Sequence, residues 1–188
     1  MTSIIKILGS LNYYDIPGIR EDCHAIKDGE MTAMRRQAAR LEAFVPNGTI
    51  LIPVPGHRGR ADTMRSFAKE IRRKCIQNGK VVFTSDLLRA EPHESLCLLK
   101  KDGHHPQSGE IHIMWRWNGA QKLIKAASDA GFKILLVDNV VDTGVTATAC
   151  YQCTGAIPVL CVGHTDGWMN NPDIDIIERD GIKYCKKK

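Results

Sequence analysis

The chain has 188 residues, 43% hydrophobic and 25% charged, with a formal net charge of +5. At about 150 residues per domain this is one domain, long enough to bury roughly 70% of its unfolded surface without disulfides or metal. That excludes disorder, collagen and coiled coil, and the mild basic excess suits an anionic ligand such as a phosphorylated metabolite, with no need for nucleic acid. No apolar run approaches the roughly 20 residues of a membrane span. Met1–Lys6 lacks a signal-peptide pattern, and Cys185-Lys186-Lys187-Lys188 is not a prenylation box. The seven cysteines lack the short spacings of a secreted scaffold, so reduced thiols in a cytoplasm are expected.

Residues 1–30 are mixed, with Pro17-Gly18 as a turn signal. Residues 31–44 predict a helix: Met31, Met34, Ala38 and Leu41 recur at helical spacing, while Arg35, Arg36 and Arg40 face out. Residues 49–54 (TILIPV) predict a buried strand, followed by the loop Pro55-Gly56-His57-Arg58-Gly59-Arg60. A helix is expected over 62–77 and a strand over Lys80–Phe83. Residues 86–110 are long and irregular, the mark of a lid or mobile loop. Residues 119–130 predict a helix, and Lys133–Val137 (KILLV) is the cleanest buried strand. A loop over 138–146, a helix through about Thr154 and a strand over Ala156–Val162 follow. Alternating strands and helices imply a parallel sheet covered on both faces, with a ligand outside the carboxyl ends of the strands.

The loops 55–60 and 138–146 both fall at that edge. In the second, a buried strand delivers Asp138 and Asn139, and Asp142-Thr143-Gly144-Val145-Thr146 opens a helix. A glycine turn at a helix start leaves backbone N–H groups pointing one way, and the helix dipole adds positive potential, so a phosphate binds well there. The Thr143 and Thr146 hydroxyls add side-chain donors, and Asp138 and Asn139 stand where an attached sugar presents its hydroxyls. The pattern reads as a site for a phosphorylated ribose.

ILLVDNVVDTGVT resembles the phosphoribosyl-pyrophosphate (PRPP) signature of the type I phosphoribosyltransferases. That signature is a hydrophobic strand, two acids, two aliphatics and a Thr/Gly/Thr loop. The second acid is Asn139 here, which keeps the hydrogen-bonding shape and loses a negative charge; on this reading Asn139→Asp strengthens Mg·PRPP binding. LIPVPGHRGRADTMRSFAKEI is similar to the matching stretch of the competence-protein (ComF-type) members.

The resemblance implies an α/β domain over 1–188: a parallel sheet flanked by helices (core about 31–165), a small hood from 1–30 and 166–188, and a flexible loop. It implies transfer of ribose 5-phosphate from PRPP to a nitrogenous base, with Mg²⁺ as cofactor and a homodimer as one assembly. Asp142 to Thr146 would hold the 5′-phosphate, and Asp138 and Asn139 the ribose, with Asp138 an indirect Mg²⁺ ligand. Pro55, Gly56, His57, Arg58 and Gly59 would hold pyrophosphate: the glycines let backbone N–H groups approach, and Arg58 and Arg60 supply charge.

Asp142 reads in two ways, as proton acceptor from the incoming base or as a helix N-cap. Within 86–110, where the family carries a flexible catalytic loop, Arg89, Lys100, Lys101, His104 and His105 are candidates to close over pyrophosphate, Lys100 and Lys101 first. A metal site at His104-His105 is disfavoured for want of partners at ligand spacing. Cys150 and Cys153 read as a core-facing pair. Trp168 is a base-stacking candidate or a packing residue, and Trp115-Arg116-Trp117 reads as packing. Two other classes compete: a PRPP- or nucleotide-binding regulator without turnover, and a DNA-associated adaptor with salt-dependent affinity.

Overall fold

The computed structural model describes residues 4–104, 107–155 and 157–186. Strand β1 is Ile4–Leu8 and β2 is Leu11–Asn12; helices α1 (Ile19–Lys27) and α2 (Met31–Leu41) follow, the latter tightening into a 3-10 turn at Glu42–Phe44. Then come β3 (Thr49–Pro53), α3 (Asp62–Gln77) and β4 (Val82–Thr84). Strands β5 (Leu88–Ala90) and β6 (Ile113–Trp115) enclose α4 (Leu96–Lys101) and a 3-10 turn at Ser108–Glu110. The chain continues through α5 (Ala120–Asp129), β7 (Lys133–Val141), α6 (Val145–Thr154) and β8 (Val159–His164). A 3-10 turn at Asp166–Asn170 leads to β9 (Ile176–Arg179) and β10 (Ile182–Cys185).

The main sheet runs β10-β9-β1-β8-β7-β3-β4, with β2 also paired to β8. Every pairing in it is parallel except β9–β10. Parallel neighbours need crossovers, and the crossover helices cover both faces. Side chains alternate accordingly. Leu135 and Val137 of β7 join a core with α1, α2 and α3, while Leu136 joins the opposite core with α5 and α6. Helix α3 shows why the sequence folds this way: Met64, Phe67, Ala68, Ile71 and Cys75 form one buried stripe. Burying one large side chain of this kind contributes about 1.5–3 kcal/mol. No helix among the described residues is long and apolar enough to cross a membrane.

Several elements depart from expectation. Strand β7 runs four residues beyond Val137, because β8 continues alongside it to His164. The strand expected at 80–83 lies at Val82–Thr84, and that expected at 156–162 begins at Val159, with Ala156 outside the described residues. The 86–110 stretch is not irregular throughout, since β5 pairs with β6 beyond it and α4 forms within it. Arg40 does not face out. It donates to Gly9 O, to Val162 O at 3.1 Å and to Gln37 Oε1 at 2.7 Å. It sits where β8 changes partner from β1 to β2, so a guanidinium meets carbonyls at the handover. Met31 is 39% exposed and adds nothing to the core.

The hood expected from the two ends of the chain takes another form. Strand β1 lies inside the main sheet between β8 and β9, and β9–β10 extend its edge. The turn joining them is Asp180-Gly181, with φ of 49° and 85°, the pairing a tight hairpin favours.

Candidate active site

The carboxyl edge of the parallel sheet gathers most of the residues singled out from the sequence. Strands β3 and β7 are neighbours, with Pro53 opposite Val137, so loops 55–60 and 142–146 leave the same edge side by side. Asp142 and Thr143 turn the chain, and α6 opens after Gly144, whose φ is 74°. A Cβ at 144 would lie 2.3 Å from Ile174 Cδ1, so the turn needs glycine for its conformation and its packing. Gly144 is buried against Ile174 and Val145 is buried with Ile111 and Ala149, and Asn171 Nδ2 donates to Thr143 O at 2.9 Å. Thr143 and Thr146 are half-buried at the helix start. The opening amides of α6 have no acceptor within the helix, which leaves a dipole-favoured anion seat.

Asp142 has two different oxygens. Lys100 Nζ of α4 donates to Oδ2 at 2.6 Å, and Thr165 Oγ1 donates to Oδ1 at 2.5 Å. The N-cap alternative is not adopted: Gly144 occupies that position and no side chain caps the helix. A polar cleft of about 400 Å³ opens here, lined by Asn12, Tyr14, Asp15, Lys100, Asp142 and Asp166 among others. Lys101 is exposed on the same helix and forms no ion pair among the described residues. Arg89 is exposed on β5 and forms no ion pair among the described residues.

Asp138 lies within β7 opposite Cys161, not in a loop. Burial pushes its carboxyl up to about 7; the Asn139 N–H donated to Oδ1 and the charge of Lys27 oppose the rise. Asn139 turns to α1. Its Nδ2 donates to Cys23 O at 3.0 Å, and the Cys23 thiol donates to Asn139 O at 3.3 Å. Burial, with Asp138 and Asp22 nearby, pushes that thiol up to about 12.

The 55–60 loop is closed on itself. Gly56 N donates to Arg60 O and Gly59 N to Gly56 O, each at 2.9 Å. The tight turn thus engages the amides of both glycines. Gly59 is needed for another reason: φ is 81°, and a Cβ would lie 2.7 Å from Ala90 O. Pro55 is buried, Arg58 and Arg60 are exposed, and His57 is half-buried. Burial, then the charges of Lys27, Arg58 and His93, hold His57 below the usual imidazole range. Positive groups thus surround this loop.

Trp168 is 2% exposed within the α5/α6 core, so it packs and offers no face to a planar ligand. His104 pairs with Glu110 at 2.8 Å, while His105 lies outside the described residues. Among the described residues, no cluster of three or more His, Cys, Asp or Glu is placed to hold a metal ion. Cys150 is buried, Cys153 half-buried, and both are free thiols. Thr165 and Lys27 were not anticipated. Thr165 follows the end of β8, so the logic that picked out Asp138 and Asn139 reaches it once β8 is extended to His164; Lys27 carried no comparable signal. Compared with known proteins, the chain matches no family model, no curated protein and no solved structure.

Proposed function

We propose that the protein is a phosphoribosyltransferase of the type I architecture, moving ribose 5-phosphate from PRPP to a nitrogenous base and releasing pyrophosphate. The observation that carries this reading is Asp142, at the turn between β7 and α6, bonded to Lys100 from the excursion between β5 and β6. The amides from Thr143 to Thr146 seat the 5′-phosphate. Asp138, with a carboxyl near 7, both donates to and accepts from ribose hydroxyls near neutral pH. Arg58 and Arg60 offset the charge of departing pyrophosphate, and Lys100 swings from Asp142 toward it. As the C1′–O bond to pyrophosphate breaks and the C1′–N bond forms, Asp142 Oδ2 takes the proton from the base nitrogen. Mg²⁺ would come with the substrate in this scheme, held by phosphate oxygens and water, with Asp138 reaching it indirectly. The free thiols suit a cytoplasmic setting.

The test is pyrophosphate release from labelled PRPP with Mg²⁺ across a panel of purines, pyrimidines and pyridines. Base-dependent release with at least one acceptor is expected, and none with any acceptor overturns turnover. A second reading, a PRPP-binding regulator, draws support from the closed 55–60 loop and the engaged Asn139 amide. Tight PRPP binding without release is its signature.

A further inference from the structure

A carboxylate that takes a proton at one oxygen must present that oxygen in one orientation. The Asp142 side chain is 41% exposed beside a wet cleft, so packing alone does not hold it. We propose that Thr165 is the positioning residue for Asp142, with Gly167 completing the seat; this rests on the phosphoribosyl-transfer reading above.

Four observations converge on Asp142 Oδ1. Thr165, itself 5% exposed, donates its hydroxyl to that oxygen at 2.5 Å. Gly167 N donates to the same hydroxyl at 3.0 Å, occupying a lone pair and steering the hydroxyl proton toward Asp142. Thr165 N donates to Val141 O at 3.0 Å, tying together the backbones that carry the two side chains. A Cβ at 167 would lie 2.5 Å from Asp142 Oδ1 and 3.4 Å from the Asp142 carbonyl carbon, so only glycine lets the turn close on the carboxylate.

The two oxygens therefore differ in kind. Oδ1 is held by groups built into the end of β8. Oδ2 faces the cleft and is held by Lys100, on a six-residue helix of the intervening excursion. Lys100 can give way to a ligand N–H; Thr165 stays. Accepting the Gly167 amide would by itself make Thr165 an ordinary cap of the 3-10 turn. Donation to Asp142 is the part a cap does not need.

The experiment compares wild type, Thr165→Ser, Thr165→Val and Gly167→Ala with Mg·PRPP and an accepted base. Thr165→Val is expected to lower kcat at least about tenfold with KM for PRPP within about twofold. Thr165→Ser restores kcat, and Gly167→Ala, which keeps the hydroxyl but crowds Oδ1, lowers it like the valine variant. A second readout needs no turnover. The Hα–Hβ scalar couplings of Asp142 report a single χ1 rotamer in wild type and Thr165→Ser, and averaging in Thr165→Val. A fixed Asp142 in Thr165→Val, or a serine variant that behaves like valine, overturns the proposal. If wild type releases no pyrophosphate with any base while the rotamer result holds, the transferase reading falls and the positioning role stands.

Discussion

Asn139 and Cys23 bind each other twice, amide to carbonyl and thiol to carbonyl, across β7 and α1. An aspartate at 139 would set a carboxylate against the Cys23 carbonyl and leave no donor for it. Asn139→Asp is therefore expected to lower stability by about 1–3 kcal/mol in denaturant unfolding, whatever its added charge does for Mg·PRPP. Asp138 makes a prediction in pH. Its folded carboxyl titrates near 7 and an unfolded one near about 3.9, so its contribution to stability is largest below the lower value and is lost as pH rises to about 7. Asp138→Asn removes that loss, and its melting temperature gains on wild type as pH climbs from about 4 to 7. The turn from β7 into α6 at Gly144 was legible, because strand, glycine and hydroxyl order is local information; Lys100 was singled out only through the resemblance and its loop. Thr165 was not legible as a partner of Asp142, since that contact joins residues far apart in sequence and depends on strand register. Trp168 stayed open between stacking and packing for the same reason: an aromatic near a strand end looks identical whether the following turn folds inward or out.

Helices α2, α3 and α5 were legible because each buries one periodic stripe. The end of β7 was not. Asp138 and Asn139 look like the start of a loop, yet a parallel neighbour that continues to His164 supplies ladder partners through Val141. The turn after it carries the clearest element-scale prediction. Gly144→Ala forces a side chain into a left-handed conformation and against Ile174, costing about 2–4 kcal/mol. Pairing it with Ile174→Ala relieves the steric part and leaves the backbone part, so the two effects are not additive in unfolding measurements.

At the scale of the molecule, His164 links the end of β8 to β9 and to the connection between β1 and β2. Arg179 Nη1 contacts His164 Nε2 at 3.1 Å, and arginine only donates, so Nε2 accepts and the ring proton on Nδ1 bonds Ser10 Oγ at 3.1 Å. Burial and Arg179 hold this imidazole below its usual range, against weaker pulls from Asp166 and Asp15. Its contribution to stability is present above about pH 6.5 and is lost as pH falls through the lower folded value. Thermal melts should show wild type falling more steeply than His164→Gln below about pH 6.5.

Strand β1 has its own consequence at this scale. Its flanking partners, Val159–Leu160 and Ile176–Arg179, are encoded some hundred and fifty residues later. On a translating ribosome at about 5–20 residues per second, the greasy Ile4–Leu8 segment waits roughly 8–30 s before either neighbour emerges. During that interval it is a sticky, unclaimed β-segment, so nascent-chain aggregation and chaperone capture should concentrate on it, and slowing synthesis should lengthen its exposure.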